Sequence, residues 1–243
     1  MIEIMNLHLV KPLLSCLLVI FFSIGLNGET GKSKKNKIKV ACVGDSITFG
    51  ARLEDPVRDS YPARLQKLLG KRYIVTNLGI GGCTLIRKGI PTVWNQLSEI
   101  RNASPDMVVI SLGTNDTCGM GTCGGRKCWE YKDEYGSDYR DLIDTLQALP
   151  SKPRIWISAP SPMVLETPGL SDERINGLEV RKSRLQELIG IVKEVAKEKN
   201  VGFIDLNTPL DHKPALFTEG DGVHPNKAGY SAIAELVYKE INN

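Results

Sequence analysis

Ser46 is the residue of this sequence that is best placed to carry out chemistry. It follows a run of strand-forming apolar residues that ends in the turn Gly44-Asp45-Ser46. Buried parallel strands read as short apolar runs, and in open α/β sheets the reactive groups lie just past the carboxyl ends of the strands. Ser46 is therefore predicted to be a nucleophile, and the alternative is an ordinary hydrophilic turn.

A nucleophilic serine requires a base and a carboxylate, and the sequence offers both near its end. The serine needs a neutral imidazole to accept its proton and a carboxylate to orient that imidazole. Asp221 and His224 lie together just before the last predicted helix, and the other two histidines are His8 and His212. His224 is therefore the candidate base, although it could instead only satisfy a local backbone carbonyl.

Two further residues could bind the oxyanion that such a reaction forms. Gly79 and Asn115 follow the second and third predicted strands, on the face that carries Ser46. A glycine lets a backbone N–H approach a ligand closely, and a side-chain amide is a suitable donor. Each could also serve as a simple turn or cap. Their joint placement favours acyl transfer.

Short apolar runs predict the strands that must position these residues. They are Ile38 to Val43, Tyr73 to Asn77, Met107 to Ser111, Ile155 to Ser158 and Gly202 to Asp205. Segments of helical period separate the runs, which predicts a three-layer α/β/α sandwich with a central five-stranded parallel sheet in flavodoxin-like order.

Helical spacing of apolar residues predicts five helices between and after the strands. They cover residues 60–70, 93–102, 139–149 and 185–196, with a last one after Pro225. Residues 117–136 and 159–177 are predicted to be long irregular loops that follow strand ends, where loops of that length are usually functional.

These motifs resemble the four sequence blocks of the GDSL esterases and lipases, also called SGNH hydrolases. Gly44-Asp45-Ser46-Ile47 is similar to the first block, Gly79 to the second-block glycine and Asn115 to the third-block asparagine. Asp221 and His224 resemble the last block, and the resemblance extends from about Lys37 to Ile241. The chain lacks the elbow of the α/β-hydrolases, because that motif requires glycine where this chain has Thr at position 48.

The resemblance implies the SGNH hydrolase fold and a role for each residue. Ser46 attacks an ester carbonyl, His224 accepts its proton, and Asp221 orients His224. The N–H groups of Ser46 and Gly79 and the amide of Asn115 bind the oxyanion. The resemblance implies no metal and no organic cofactor.

The N-terminus predicts export. Residues 1–28 contain an apolar run shorter than the ~20 residues of a spanning helix, which is typical of a signal peptide. Residues 29–37 form a basic linker, and 38–243 form the hydrolase domain. We expect a secreted or periplasmic protein without stable membrane insertion after cleavage; the alternative is an uncleaved anchor. The net charge of +3 is too small to indicate nucleic acid.

Three cysteines lie in the predicted loop that follows Asn115. Cys118, Cys123 and Cys128 could form one disulfide in an oxidising compartment and leave one thiol. Zinc is the alternative, but it usually takes four ligands in paired spacings, and no histidine lies nearby in sequence.

The predicted substrate is a short acyl ester on a polar carrier, as a small molecule or a glycan. The chain resembles the bacterial carbohydrate O-acetylesterases of the family, and Arg87, Trp94 and Trp129 are candidate substrate-binding residues. The alternatives are a lysophospholipase or thioesterase that acts on longer acyl chains, and a non-catalytic glycan-binding member. The sequence does not predict an oligomeric state.

Overall fold

Five parallel strands form the central sheet of the protein. In the computed structural model, which describes residues 36–242, the sheet order is β2-β1-β3-β4-β5. The strands are β1 (Ile38–Gly44), β2 (Tyr73–Gly79), β3 (Met107–Ser111), β4 (Arg154–Ala159) and β5 (Gly202–Asp205). The predicted strands and their flavodoxin-like order are confirmed.

The predicted signal peptide, residues 1–28, lies outside the described residues, as do residues 29–35 of the predicted linker. No helix among residues 36–242 is long and apolar enough to cross a membrane.

Seven α-helices accompany the described strands. They are α1 (Ser46–Phe49), α2 (Pro56–Asp59), α3 (Tyr61–Leu69), α4 (Leu97–Ala103), α5 (Tyr135–Gln147), α6 (Asp172–Glu198) and α7 (Lys227–Ile241). Short 3₁₀ helices cover Val93–Gln96, Cys128–Glu134 and Pro214–Leu216.

Two of the predicted loops are shorter than expected. Helical structure begins at Cys128 inside the first, and α6 begins at Asp172 inside the second. The hydroxyl of Ser171 accepts a hydrogen bond from the N–H of Arg174, which caps the start of α6. The first turns of α6 carry few apolar residues, so hydrophobic spacing alone does not reveal them.

The two faces of the sheet are covered by different helices. Alternate residues of β3 point to opposite faces, so Val108 and Ile110 belong to one core cluster and Met107 and Val109 to the other. The first cluster includes apolar residues of α4, α5 and α6, and the second includes residues of α3 and α7. This arrangement confirms the three-layer α/β/α sandwich.

The register of the sheet brings three strand ends to the same level. Gly44 at the end of β1 lies opposite Gly79 of β2 and Ser111 of β3. The segments that follow these strands therefore leave the sheet side by side, and they carry Ser46, the loop from Ile80, and Asn115.

Candidate active site

Ser46 is presented by a tight turn between β1 and α1. The Asp45 side chain caps α1, since its Oδ1 accepts the N–H of Ile47 at 2.8 Å. Ser46 is the first residue of the helix, a position at which the backbone N–H has no partner within the helix. Burial raises the pKa of Asp45 to about 6, against the opposing effect of the Ile47 N–H and of His224.

Ser46, His224 and Asp221 form a continuous hydrogen-bonded chain. Ser46 Oγ lies 2.9 Å from His224 Nε2, and His224 Nδ1 lies 3.0 Å from each carboxylate oxygen of Asp221. Gly222 has a φ of +69°, and this turn lets the N–H groups of Val223 and His224 donate to Asp221 Oδ1 at 3.0 and 2.9 Å. The histidine and its carboxylate are thus fixed by one short segment.

The Asp221 carboxylate is held in its ionised form. Its burial raises its pKa, but the hydrogen bonds and charge of His224 and the N–H of Val223 outweigh that effect and hold the pKa below its usual range. Arg52 Nε donates to Oδ2 at 3.1 Å, and Arg174 donates twice to the Asp221 carbonyl at 3.0 and 2.9 Å. These two arginines hold the segment that carries Asp221 in place.

Asn115 lies near Ser46 with its amide oriented by two neighbours. Its Nδ2 donates to the carbonyl of Cys83 at 3.0 Å, and its Oδ1 accepts from Arg126 Nη1 at 2.9 Å. The second hydrogen of Nδ2 remains available to a ligand. Ser46, Asn115 and His224 line one cavity of about 490 Å³.

Gly79 does not reach this cavity, which corrects the prediction that its N–H binds the oxyanion. The Gly79 N–H donates to Asn77 Oδ1 at 2.9 Å, and a Cβ at Gly79 would lie 2.1 Å from the Phe49 nitrogen. Glycine is needed there because β2 packs closely on the chain after Ser46. Gly82, three residues later, lines the cavity with Ser46 and Asn115.

Asp116 anchors the loop that carries Gly82. Its buried carboxylate accepts the N–H of Leu85 at 3.0 Å and of Ile86 at 2.9 Å through Oδ1, and the Leu85 N–H also lies 3.2 Å from Oδ2. Burial raises the pKa of Asp116 to about 7 in spite of these donors, and the charge of Asp45 adds to the rise. The loops after β2 and β3 are thereby joined beside Ser46.

The cysteine-bearing loop forms one wall of the cavity. The structure joins Cys118 to Cys123 by a disulfide, and both residues line the cavity, whereas Cys128 is a buried free thiol. Arg181 and Arg184 of α6 donate to oxygen atoms of this loop. Among residues 36–242, no group of three or more histidine, cysteine or acidic side chains is arranged to hold a metal ion.

The three predicted substrate-binding residues lie elsewhere. Arg87 bonds to Asp138 and Asp141 and stacks over Trp94 at 3.3 Å from the ring centroid. Trp94 packs against the core, and Trp129 is buried in it. None of the three lines the cavity, because their segments turn back onto α5 and the core.

Four arginines line the cavity instead, and none of them was predicted from the sequence. They are Arg52, Arg126, Arg174 and Arg181. Arg174 and Arg181 are seven positions apart, which is two helical turns, so a shared face of α6 was a signal available in the sequence. For Arg126, the only signal in the sequence is its position between Cys123 and Cys128.

Two relatives of the chain are named as esterases. The chain is 30% identical over 223 residues to an acetylxylan esterase from Xylanibacter ruminicola, with 84% of this chain and 43% of that protein covered. It is 24% identical over 244 residues to a multidomain esterase from Ruminococcus flavefaciens, with 86% and 29% covered. The chain thus spans less than half the length of these two relatives.

The fold and the family motifs agree with this comparison. A carbohydrate acetylesterase from Sinorhizobium meliloti superposes with a TM-score of 0.65 at 19% identity, over 85% of this chain and 99% of that one, which shows the shared fold. Residues 42–232 match the GDSL-like lipase/acylhydrolase family. The family expected from the sequence blocks is confirmed: the chain belongs to the GDSL-like lipase/acylhydrolase family.

Proposed function

We propose that the protein is a serine ester hydrolase that removes acetyl groups from a carbohydrate through an acyl-enzyme on Ser46. The observation that carries this proposal is the chain of contacts from Ser46 to His224 to Asp221 at 2.9 and 3.0 Å, in a cavity that Asn115 also lines. Membership of an acylhydrolase family supports the reaction type.

The reaction begins with attack of Ser46 Oγ on the ester carbonyl carbon, while the hydroxyl proton passes to His224 Nε2. The N–H groups of Ser46 and Gly82 and the free Nδ2–H of Asn115 are the donors that we assign to the oxyanion. His224 then gives its proton to the departing alkoxide. Water then attacks the acyl-enzyme while His224 Nε2 accepts its proton. His224 returns that proton to Ser46 Oγ, which releases the acid and restores Ser46.

A short acyl group fits the surroundings of Ser46 better than a long one. The cavity is lined mainly by polar and charged side chains. An apolar depression of about 780 Å³ is lined by Phe49, Val57 and Pro62, but not by Ser46. These features favour an acetyl ester over the substrates of a lysophospholipase or thioesterase. Chain-length profiling on 4-nitrophenyl esters tests this choice, and a maximum at eight or more carbons would reject it.

An extended carrier is favoured by two further cavities that adjoin the first. One of about 730 Å³ shares Arg52 with it, and the other, of about 610 Å³, shares Cys123, Arg174 and Arg181. Because they share lining residues with the cavity around Ser46, we assign neighbouring sugar units of the carrier to them. Acetylxylan esterase is the name of the 30% identical relative. Acetate release from a panel of acetylated glycans would identify the carrier.

The catalytic assignment is tested by Ser46→Ala and His224→Ala, each with a matched control. We expect each variant to lose nearly all turnover of 4-nitrophenyl acetate while it stays folded, and the double variant to be no worse than either single one. His212→Ala is the histidine control, because His212 is exposed and pairs with Glu166. Ser231→Ala, at a half-buried serine of α7 that does not line the cavity, is the serine control.

A fluorophosphonate probe separates the hydrolase from a non-catalytic glycan-binding protein. The probe should label the wild type on Ser46 and leave Ser46→Ala unlabelled. An unlabelled, folded wild type would contradict the proposal.

Export to the periplasm or the medium belongs to the same proposal. The predicted signal peptide and the cysteine pair at Cys118 and Cys123 support it, since disulfides persist in oxidising compartments. N-terminal sequencing of the mature protein tests it. A start between Leu26 and Gly31 is expected, and an intact N-terminus would indicate the uncleaved anchor.

A further inference from the structure

The cavity around Ser46 carries an excess of positive charge. Four guanidinium groups line it, and Asp221 is the only carboxylate among its lining residues in the described part of the chain. Four positive charges against one negative charge leave three in excess. An excess of this size in a confined space attracts anions strongly.

Two of these arginines, Arg126 and Arg181, form no ion pair with a carboxylate of residues 36–242. Arg52 and Arg174 lie near the carboxylate of Asp221, at 3.1 and 3.5 Å. Arg126, in contrast, bonds to Asn115 Oδ1 and the Gly82 carbonyl, both neutral groups. Its charge therefore faces the cavity without compensation.

Arg181 is buried and has no carboxylate of the described residues within ion-pair distance, although Asp45 and Asp221 attract it from farther away. Only 6% of the residue is exposed, and its bonds go to the Thr117 hydroxyl at 3.0 Å and the Thr114 carbonyl at 2.8 Å. Its Nη1 has no hydrogen-bond partner within the described residues. Burial, together with the charges of Arg174 and Arg126, lowers the pKa of Arg181 to about 10, so it remains a cation at neutral pH.

A buried charge without a partner destabilises a fold, so such a charge needs a reason to be present. Guanidinium groups bind carboxylates and related oxyanions through two parallel hydrogen bonds. We propose that the ester carrier bears an anionic group, a carboxylate of an acidic sugar or a sulfate ester, which binds Arg181 and Arg126 while the ester lies at Ser46. This inference rests on the proposed function and specifies its substrate.

The test compares anionic and neutral sugars as inhibitors of 4-nitrophenyl acetate hydrolysis. We expect glucuronate or glucose 6-sulfate to inhibit competitively at a concentration at least tenfold lower than glucose, and the advantage to shrink in roughly 0.5 M sodium chloride. The order of the two anions identifies a carboxylate or a sulfate as the preferred group. Equal inhibition by glucose and both anions would overturn the inference.

Arg184 supplies a matched control for Arg181. Both arginines belong to α6 and donate to the same loop, but Arg184 does not line the cavity around Ser46. Arg181→Met should reduce the preference for the anion at least fivefold, and Arg184→Met should keep it. If Arg181→Met does not fold, Arg181→Lys replaces it and should weaken the preference without abolishing it. Retention of the full preference in the folded Arg181 variant would reject Arg181 as the ligand.

Direct titration of the Ser46→Ala protein with glucuronate, glucose 6-sulfate and glucose separates this inference from the proposed function. Binding of an anion without turnover by the wild type would support the anion site and reject the hydrolase. Turnover without any preference for anions would leave the hydrolase standing and reject the anion site.

Discussion

The Asn115 amide is bonded at both of its ends, and this determines what it can offer a substrate. Arg126 donates to its oxygen and Cys83 accepts from its nitrogen, so the amide cannot rotate freely and one N–H hydrogen remains. A donor fixed before the reaction needs no reorganisation when the oxyanion forms, which is why such groups contribute strongly to catalysis.

Asn115→Ala should therefore act on kcat. Loss of one oxyanion donor typically costs about 2.7–4 kcal/mol in the chemical step, roughly a 100- to 1000-fold fall in kcat, with little change in KM. Steady-state kinetics on 4-nitrophenyl acetate measures both values. Asn95→Ala, at an exposed asparagine outside the site, is the control. A change confined to KM would make Asn115 a substrate-binding residue instead.

Arg126 should affect the same step through its neighbours. It bonds Asn115 Oδ1 and the Gly82 carbonyl, so it orients two of the groups that we assign to the oxyanion. We expect Arg126→Met to lower kcat on the neutral substrate 4-nitrophenyl acetate by about tenfold with a smaller change in KM. Lys127→Met is the control at an exposed neighbour. An unchanged kcat would show that Asn115 and Gly82 keep their positions without Arg126.

At the scale of the elements, Gly79 at the end of β2 and Gly82 in the loop that follows have different roles. Gly79 packs against the backbone of α1, whereas Gly82 lies in the wall of the cavity. Gly79→Ala should lower the free energy of unfolding by about 1–3 kcal/mol, because the added methyl overlaps the Phe49 nitrogen. Gly82→Ala has space for its methyl group, but the φ of +77° at this position costs an alanine roughly 1–2 kcal/mol. We therefore expect Gly82→Ala to lower kcat far more than Gly79→Ala does, with a similar loss of stability. Chemical denaturation and kinetics on both variants measure these effects, and the reverse pattern would restore Gly79 as the oxyanion donor.

The disulfide between Cys118 and Cys123 should matter locally. Its two ends are five positions apart in sequence, so it closes a small ring and should stabilise the whole fold by only roughly 2 kcal/mol. The pair lines the cavity, so Cys118→Ser/Cys123→Ser should reduce kcat/KM on an acetylated glycan more than on 4-nitrophenyl acetate. Thiol counting by mass spectrometry on the unreduced protein should find these two cysteines blocked. Full alkylation without reductant would contradict the pairing.

At the scale of the whole molecule, two buried carboxyl groups should make stability depend on pH. The folded-state pKa of Asp116 is about 7 and that of Asp45 about 6, both above the ordinary 3.8. The folded state therefore binds more protons than the unfolded state between about pH 4 and 7, so the stability these groups provide at low pH is lost as pH rises.

The free energy of unfolding should fall between pH 5 and pH 8, by an amount on the order of 2–4 kcal/mol for the pair. Urea denaturation across this range measures the change. Asp116→Asn cannot ionise and should give a flatter profile than the wild type. A wild-type stability that rises steadily over this interval would contradict the assignment.

The sequence predicts the residues at the strand ends better than the other residues that line the cavity. Strand ends follow from apolar runs, and Ser46, Asn115 and His224 lie close to such ends or directly before a helix, so their meeting could be expected. Whether Gly79 or Gly82 lines the cavity depends on where the loop after β2 turns towards Ser46, and no local sequence pattern indicates this. Arg126 and Arg181 reach the site through packing of a loop on α6, which is a tertiary property.

The position of β1 has a consequence for how the protein matures. The strand that presents Ser46 lies inside a parallel sheet, between two strands that come later in the chain. His224, to which we assign the role of proton acceptor, lies 178 residues after the serine. Long-range pairings of this kind form slowly, and the N-terminal part of a chain leaves the ribosome first. The nascent chain therefore carries Ser46 well before it carries His224, and by the proposed mechanism ester cleavage can start only when the final segment has docked. In a refolding experiment, the onset of turnover would mark completion of the domain and not assembly of its sheet.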